Sequence, residues 1–113
     1  MPDQVVWTGA SGSAYTYYIY PLPVTFNPDQ CGNYIYTKIV DQHWVPIYIG
    51  EGEFRDRISA NHHQAEEITR RAATHVHAHM NPLLLSRTTE ESDLLNAFPN
   101  AYAPIGCNIR RGG

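Results

Sequence analysis

Lysine is nearly absent from this sequence: Lys38 and seven arginines stand against eleven aspartates and glutamates, for a net charge of −3 over 113 residues. That balance excludes the broad basic surface that drives sequence-blind binding to nucleic acid, leaving a local arginine cluster or a divalent cation to face phosphate. Cysteine is scarce too. Cys31 and Cys107 are too few for a disulfide scaffold and read as reduced thiols in or near the core. No apolar run approaches the ~20 residues of a membrane helix. The start, Met1-Pro-Asp-Gln4, lacks the basic-then-apolar pattern of a signal peptide, so the expected location is cytoplasmic.

What is present is an ordinary folding composition, 42% apolar and 17% charged, in a length suited to one domain. Six histidines matter, since protonating all of them would move the net charge from −3 to +3. Residues 1–30 are punctuated by Gly9, Gly12, Pro21, Pro23 and Pro28 and read as an N-terminal extension. Within it Tyr15–Tyr20, rich in aromatic residues and ending at Pro21, predicts an edge strand. Two strands, Asn33–Val40 and Val45–Gly50, follow as an antiparallel hairpin. Phe54, Ile58, Asn61, Ala65 and Ile68 recur at helical spacing, with a break near Asn61–Gln64 giving two shorter helices. Ala73–Met80 alternates as a third strand, Ser86–Phe98 reads as a helix ending at Pro99, and residues 100–113 read as loop. The expected fold is α+β: a small three-stranded antiparallel sheet, with that extra edge strand, flanked by helices.

Gly32-Asn-Tyr34 opens one hairpin strand and Tyr48-Ile-Gly50 closes the other. Downstream come Phe54-Arg-Asp-Arg57, then Arg87-Thr-Thr-Glu-Glu91-Ser-Asp-Leu94-Leu95, then Pro104-Ile-Gly-Cys-Asn108. In this order, over residues 31–108, the chain resembles the GIY-YIG nuclease family, named for the paired tripeptides. The resemblance implies that Tyr34 helps to activate the attacking water and Tyr48 orients water or the scissile phosphate. It implies further that Arg57 stabilises charge on the phosphate and Glu91 holds one divalent cation, Mg²⁺ or Mn²⁺. The family often carries a histidine soon after the arginine, which points to His62. Arg55, Arg87 and Asn108 are the expected substrate contacts, DNA the expected substrate, and a protein partner the expected source of sequence choice. Asn33 departs from the pattern by standing at an apolar position, and the stretch between the tripeptides is longer than usual, suggesting an extended turn around His43-Trp44.

The residue types agree with that chemistry independently. Phosphodiester hydrolysis needs a cation, a planar guanidinium donor and a positioned oxygen nucleophile. A tyrosine, with an ordinary pKa near 10, serves as base only where a metal or arginine favours its phenolate. Each residue also has a plainer reading. Tyr34, Tyr36 and Tyr48 are strand aromatics, and Arg57 is a solvated charge, although it lies beside the apolar stripe. Thr88-x-x-Glu91 matches a capping box, yet Glu91, Leu94, Leu95 and Phe98 share a face, with Glu90 one step away as the alternative carboxylate. Phosphate contacts would come from Arg55, Arg57, Arg70, Arg71, Arg87, Arg110 and Arg111.

Two other functions stay open at this level. One is a catalytically inactive module on the same scaffold, binding nucleic acid or protein through its tyrosine-rich sheet. The other is a metal protein built on His75, His77 and His79, which share one strand face with the outer two about 13 Å apart.

Overall fold

Alternating aromatic and β-branched residues form five strands: β1 (Gln4–Thr8), β2 (Ala14–Pro21), β3 (Cys31–Val40), β4 (His43–Glu53) and β5 (His75–Met80). The computed structural model describes residues 3–59 and 62–109, so the expectations placed on Asn61, Arg110 and Arg111 lie outside the described residues. The strands make one antiparallel sheet, ordered β1-β2-β5-β3-β4 and curled into a half-barrel. This overturns the small three-stranded sheet expected from sequence. The Tyr15–Tyr20 segment is no edge either, because β2 pairs with β1 on one side and β5 on the other. The missed strand, β1, is five residues with only Val5 and Trp7 turned inward, too short for its period to stand out.

The β3–β4 hairpin closes through Asp41 and Gln42, both with positive φ (51° and 68°), the signature of a tight two-residue turn. His43 and Trp44 therefore belong to β4, not to an extended turn. The extra length between the tripeptides is taken up partly by a bulge at Tyr36/Thr37, where Ile47 is inserted and buried in the core.

Strand alternation divides the core in two. Tyr34, Tyr36, Val76 and Ala78 pack against Phe54, Ile58 and Ile68 of the segment carrying α1 (Phe54–Arg57) and α2 (Ala65–Arg70). On the other face Trp7, Tyr17, Ile35 and Ile49 pack against Leu94 of α3 (Leu84–Ala97). α3 starts two residues before the expected Ser86, which places Thr88 in its second turn, its hydroxyl donating to the Leu85 carbonyl at 3.1 Å. The capping-box reading of Thr88 and Glu91 is thereby removed.

Leu94, Leu95 and Phe98 pack on the core as the sequence predicts, but the buried carboxylate is the alternative one, while Glu91 is half-buried. Glu90, not Glu91, is the carboxylate beneath α3, only 3% exposed. It is satisfied there: the Tyr17 hydroxyl and the His79 Nδ1–H both donate to it, the latter at 2.9 Å. Asn33, fully buried, donates from Nδ2 to the Arg87 carbonyl at 2.8 Å and ties β3 to α3. The polar residue at an apolar position thus serves as an interlayer tie.

Candidate active site

The two tripeptides meet because of the hairpin register. Tyr34 lies opposite Gly50, Tyr36 opposite Tyr48, and Gly32 opposite Gly52. Tyr34 and Tyr48 become diagonal neighbours on one face, rings stacked at 6.1 Å and 21°. Glycine at position 50 is what permits this: a Cβ there would fall 2.6 Å from the Tyr34 hydroxyl and 2.8 Å from Tyr48 Cε1. Gly52, with φ +143°, clears the path of the Arg57 side chain in the same way, its absent Cβ lying 2.9 Å from Cγ and Nε of that arginine. Replacing Gly50 by alanine should therefore push Tyr34 out of its slot and destabilise the fold by about 1–3 kcal/mol. Urea unfolding checks this, and an unchanged midpoint would contradict the packing described.

His62 completes the cluster. It is buried, with its Nε2 2.8 Å from the Tyr34 hydroxyl and its ring edge-on to Tyr48 at 4.7 Å. Burial, with His63 and Arg57 nearby, pushes its pKa down to about 4, so it is neutral at ordinary pH. The backbone N–H of Gln64 donates to its Nδ1 at 2.9 Å, so the single ring proton sits on Nε2. His62 consequently donates to the Tyr34 oxygen, leaving the Tyr34 proton to point elsewhere. Burial raises the Tyr34 pKa well above the usual phenol value. The charges of neighbouring tyrosines and Glu91 add to the rise, and Arg57 opposes it.

Glu91 is carried by α3, on the opposite face of the sheet from Tyr34. Because β4 is an edge strand, a polar cavity of about 650 Å³ wraps its edge. Tyr48 and His63 line it from one side, Thr88 and Glu91 from the other, and Tyr102 from the C-terminal segment. Tyr34, Tyr48 and His62 are thus in direct contact, Glu91 shares the cavity with Tyr48, and the charges of Arg57 and Glu91 act on Tyr34 in opposite directions. His63 joins them through a 3.3 Å contact between its Nε2 and the Tyr48 hydroxyl. Tyr102 and the Gln64 backbone carried no signal in the sequence, since one lies in an irregular tail and the other contributes only its N–H.

Of the three expected substrate contacts, Asn108 lines this same cavity, while Arg87 and Arg55 lie outside its lining. Arg87 donates to Glu51 at 3.1 Å and to the Asn81 and Pro82 carbonyls, fastening the start of α3. Asn108 clamps the backbone of Ile49 on β4, accepting from its N–H and donating to its carbonyl, both at 2.8 Å. Arg55 lines a separate cavity beside Tyr36. The histidine row is divided as well: Trp7 Nε1–H donates to His77 at 2.9 Å, and His79 is held by Glu90. Among the described residues, no group of three or more histidines, cysteines, aspartates or glutamates is clustered to hold a metal. A scan against family models and searches of curated proteins and of solved structures gave no match.

Proposed function

We propose that this chain is a metal-dependent endonuclease hydrolysing DNA phosphodiester bonds, of the GIY-YIG kind that its motifs resemble. The observation carrying the reading is the Tyr34–His62 pair. A buried tyrosine oxygen receives a hydrogen bond from a histidine whose tautomer is fixed, stacked against a second tyrosine at the rim of a polar cavity that also holds Glu91.

A Mg²⁺ site of hard character needs only one or two carboxylates, with water and substrate phosphate completing it, so the Glu91 carboxylate in that cavity fits such a cation. When bound, Mg²⁺ or Mn²⁺ supplies neutralisation of phosphate charge and acidifies water. The chain's own residues supply the rest. Arg57, beside Gly52, presents a guanidinium to the phosphate oxygens. The minor phenolate form of Tyr34, disfavoured by burial and favoured by Arg57 and the His62 Nε2–H, takes the proton of the attacking water. Tyr48 holds the water or phosphate against the Tyr34 ring.

Supercoiled plasmid incubated with wild type, Glu91→Gln and Arg57→Ala, with Mg²⁺ or with EDTA, tests the proposal. Nicking that requires the cation and falls at least about 100-fold in both variants is expected. Plasmid binding without nicking would replace it with a non-catalytic binding module.

A further inference from the structure

The α1/α2 face of the sheet is incompletely filled. Its two helices are four and six residues long, against fourteen for α3 on the other face. Between them, the Leu22–Thr25 segment and Tyr36 lies an open cavity of about 520 Å³. Protein interiors seldom leave space much larger than a water molecule, and a cavity of several hundred Å³ matches small-ligand sites. Leu22, Val24, Ile58 and Ile68 make its wall, and the Tyr36 ring is part of it. Its uncharged polar side chains are Thr25, Tyr36, Ser59 and Thr69. Tyr36 donates to the Arg57 carbonyl at 3.4 Å, and Ser59 to the Asp56 carbonyl at 2.8 Å.

Arg55 supplies charge, and among the described residues no aspartate or glutamate lines the cavity. Arg55 is exposed, whereas Ile58 and Ile68 are buried and Leu22 and Val24 half-buried. Among the described residues, the buried side-chain atoms without a partner, Asn33 Oδ1 and Arg71 Nε, are not on residues of this wall. The apolar wall of Leu22, Val24, Ile58 and Ile68 suits an alkyl chain, which brings no polar atom in need of a partner.

From this we infer that the cavity is a binding site for a small amphiphilic monoanion, with an aliphatic body against Leu22, Val24, Ile58 and Ile68 and a carboxylate on Arg55. The site is separate from the Tyr34–His62 cluster, although Tyr36 borders both. Its test uses neither DNA nor a metal, so its failure leaves the nuclease reading where it stands.

Sodium decanoate, kept below its micelle concentration, is titrated into the full chain by calorimetry, with methyl chemical shifts followed by NMR. One-to-one binding is expected, with shifts at Leu22, Val24, Ile58 and Ile68. Arg55→Gln, a change at an exposed position, should weaken decanoate at least fivefold while leaving 1-decanol unchanged. Ala73→Leu, which narrows the cavity, should weaken both. Non-saturable binding, shifts centred on the exposed Leu83–Leu85 segment, tighter binding of dAMP than of decanoate, or an Arg55→Gln affinity equal to wild type would each overturn the inference.

Discussion

Phenylalanine in place of Tyr34 should reduce metal-dependent nicking by at least about 100-fold, the lower end of what a positioned general base contributes. The substitution keeps the ring that stacks on Tyr48 and removes only the oxygen, so the sheet should persist. One buried group loses its partner: His62 Nε2–H, now without an acceptor at 2.8 Å, at a cost of about 1–3 kcal/mol. Stability and activity are therefore separable in this variant. The pH profile separates them further. Because burial lifts the Tyr34 pKa, its hydroxyl is protonated across the neutral range, and the phenolate fraction grows tenfold with each pH unit. Wild-type nicking should rise with a log–log slope near one from about pH 6 upward, while any residue of activity in Tyr34→Phe should lose that slope. His62, with its pKa near 4, stays neutral throughout and adds no bend. A Tyr34→Phe protein that nicks within a few-fold of wild type, with the same slope, would remove Tyr34 from the chemistry.

The sequence carried the hairpin and its two tyrosines because they are local facts. Period-2 alternation sets which residues share a face, and the spacing of Gly32, Tyr34, Tyr48 and Gly50 sets which of them meet once register is fixed. The break between α1 and α2 was readable in the same way. What could not be read depends on partners distant in the chain. β2 looks like an edge until β1, a five-residue strand, pairs with it. Glu90 and Glu91 are adjacent and chemically identical, and only the positions of Tyr17 and His79, on two other strands, decide which carboxylate goes under α3. Asn108 and Arg87 carry the residue types of phosphate contacts, and the structure shows that both also hold backbone groups, of Ile49 in one case and of Asn81 and Pro82 in the other. Polar residues at motif positions can serve the scaffold, and a single sequence shows the type without the partner.

Acid should destabilise this protein from about pH 6.5 downward, before most carboxylates titrate. Two histidines are buried and neutral: His62 beneath Tyr34, and His77, fully buried in the other core layer. Trp7 Nε1–H occupies His77 Nδ1, its Nε2 faces the Thr37 hydroxyl at 3.4 Å, and the Trp44 ring stands edge-on at 4.5 Å. Burial lowers both pKa values to about 4, helped by His63 and Arg57 in one case and His75 in the other, while Asp56 weakly opposes the shift at His62. In the unfolded chain both would titrate near 6.5. Between those values the unfolded state binds protons the folded state refuses, so stability rises with pH and falls on acidification, by up to about 1.4 kcal/mol per pH unit for each histidine. From pH 7 to 4.5 the two together should cost at most about 5 kcal/mol, less where solvent screens the rings, against a whole stability of about 5–15 kcal/mol for a domain. Asp93, whose carboxyl is held below its usual range by Tyr15 and Ser11, adds to acid sensitivity only at lower pH. Urea midpoints measured from pH 7.5 to 4.5 should fall steeply in wild type and about half as steeply in His77→Gln, which offers Trp7 a polar partner that does not titrate. A wild-type midpoint unchanged at pH 4.5 would mean that the buried imidazoles accept protons without opening the core, and that water reaches them in the folded state.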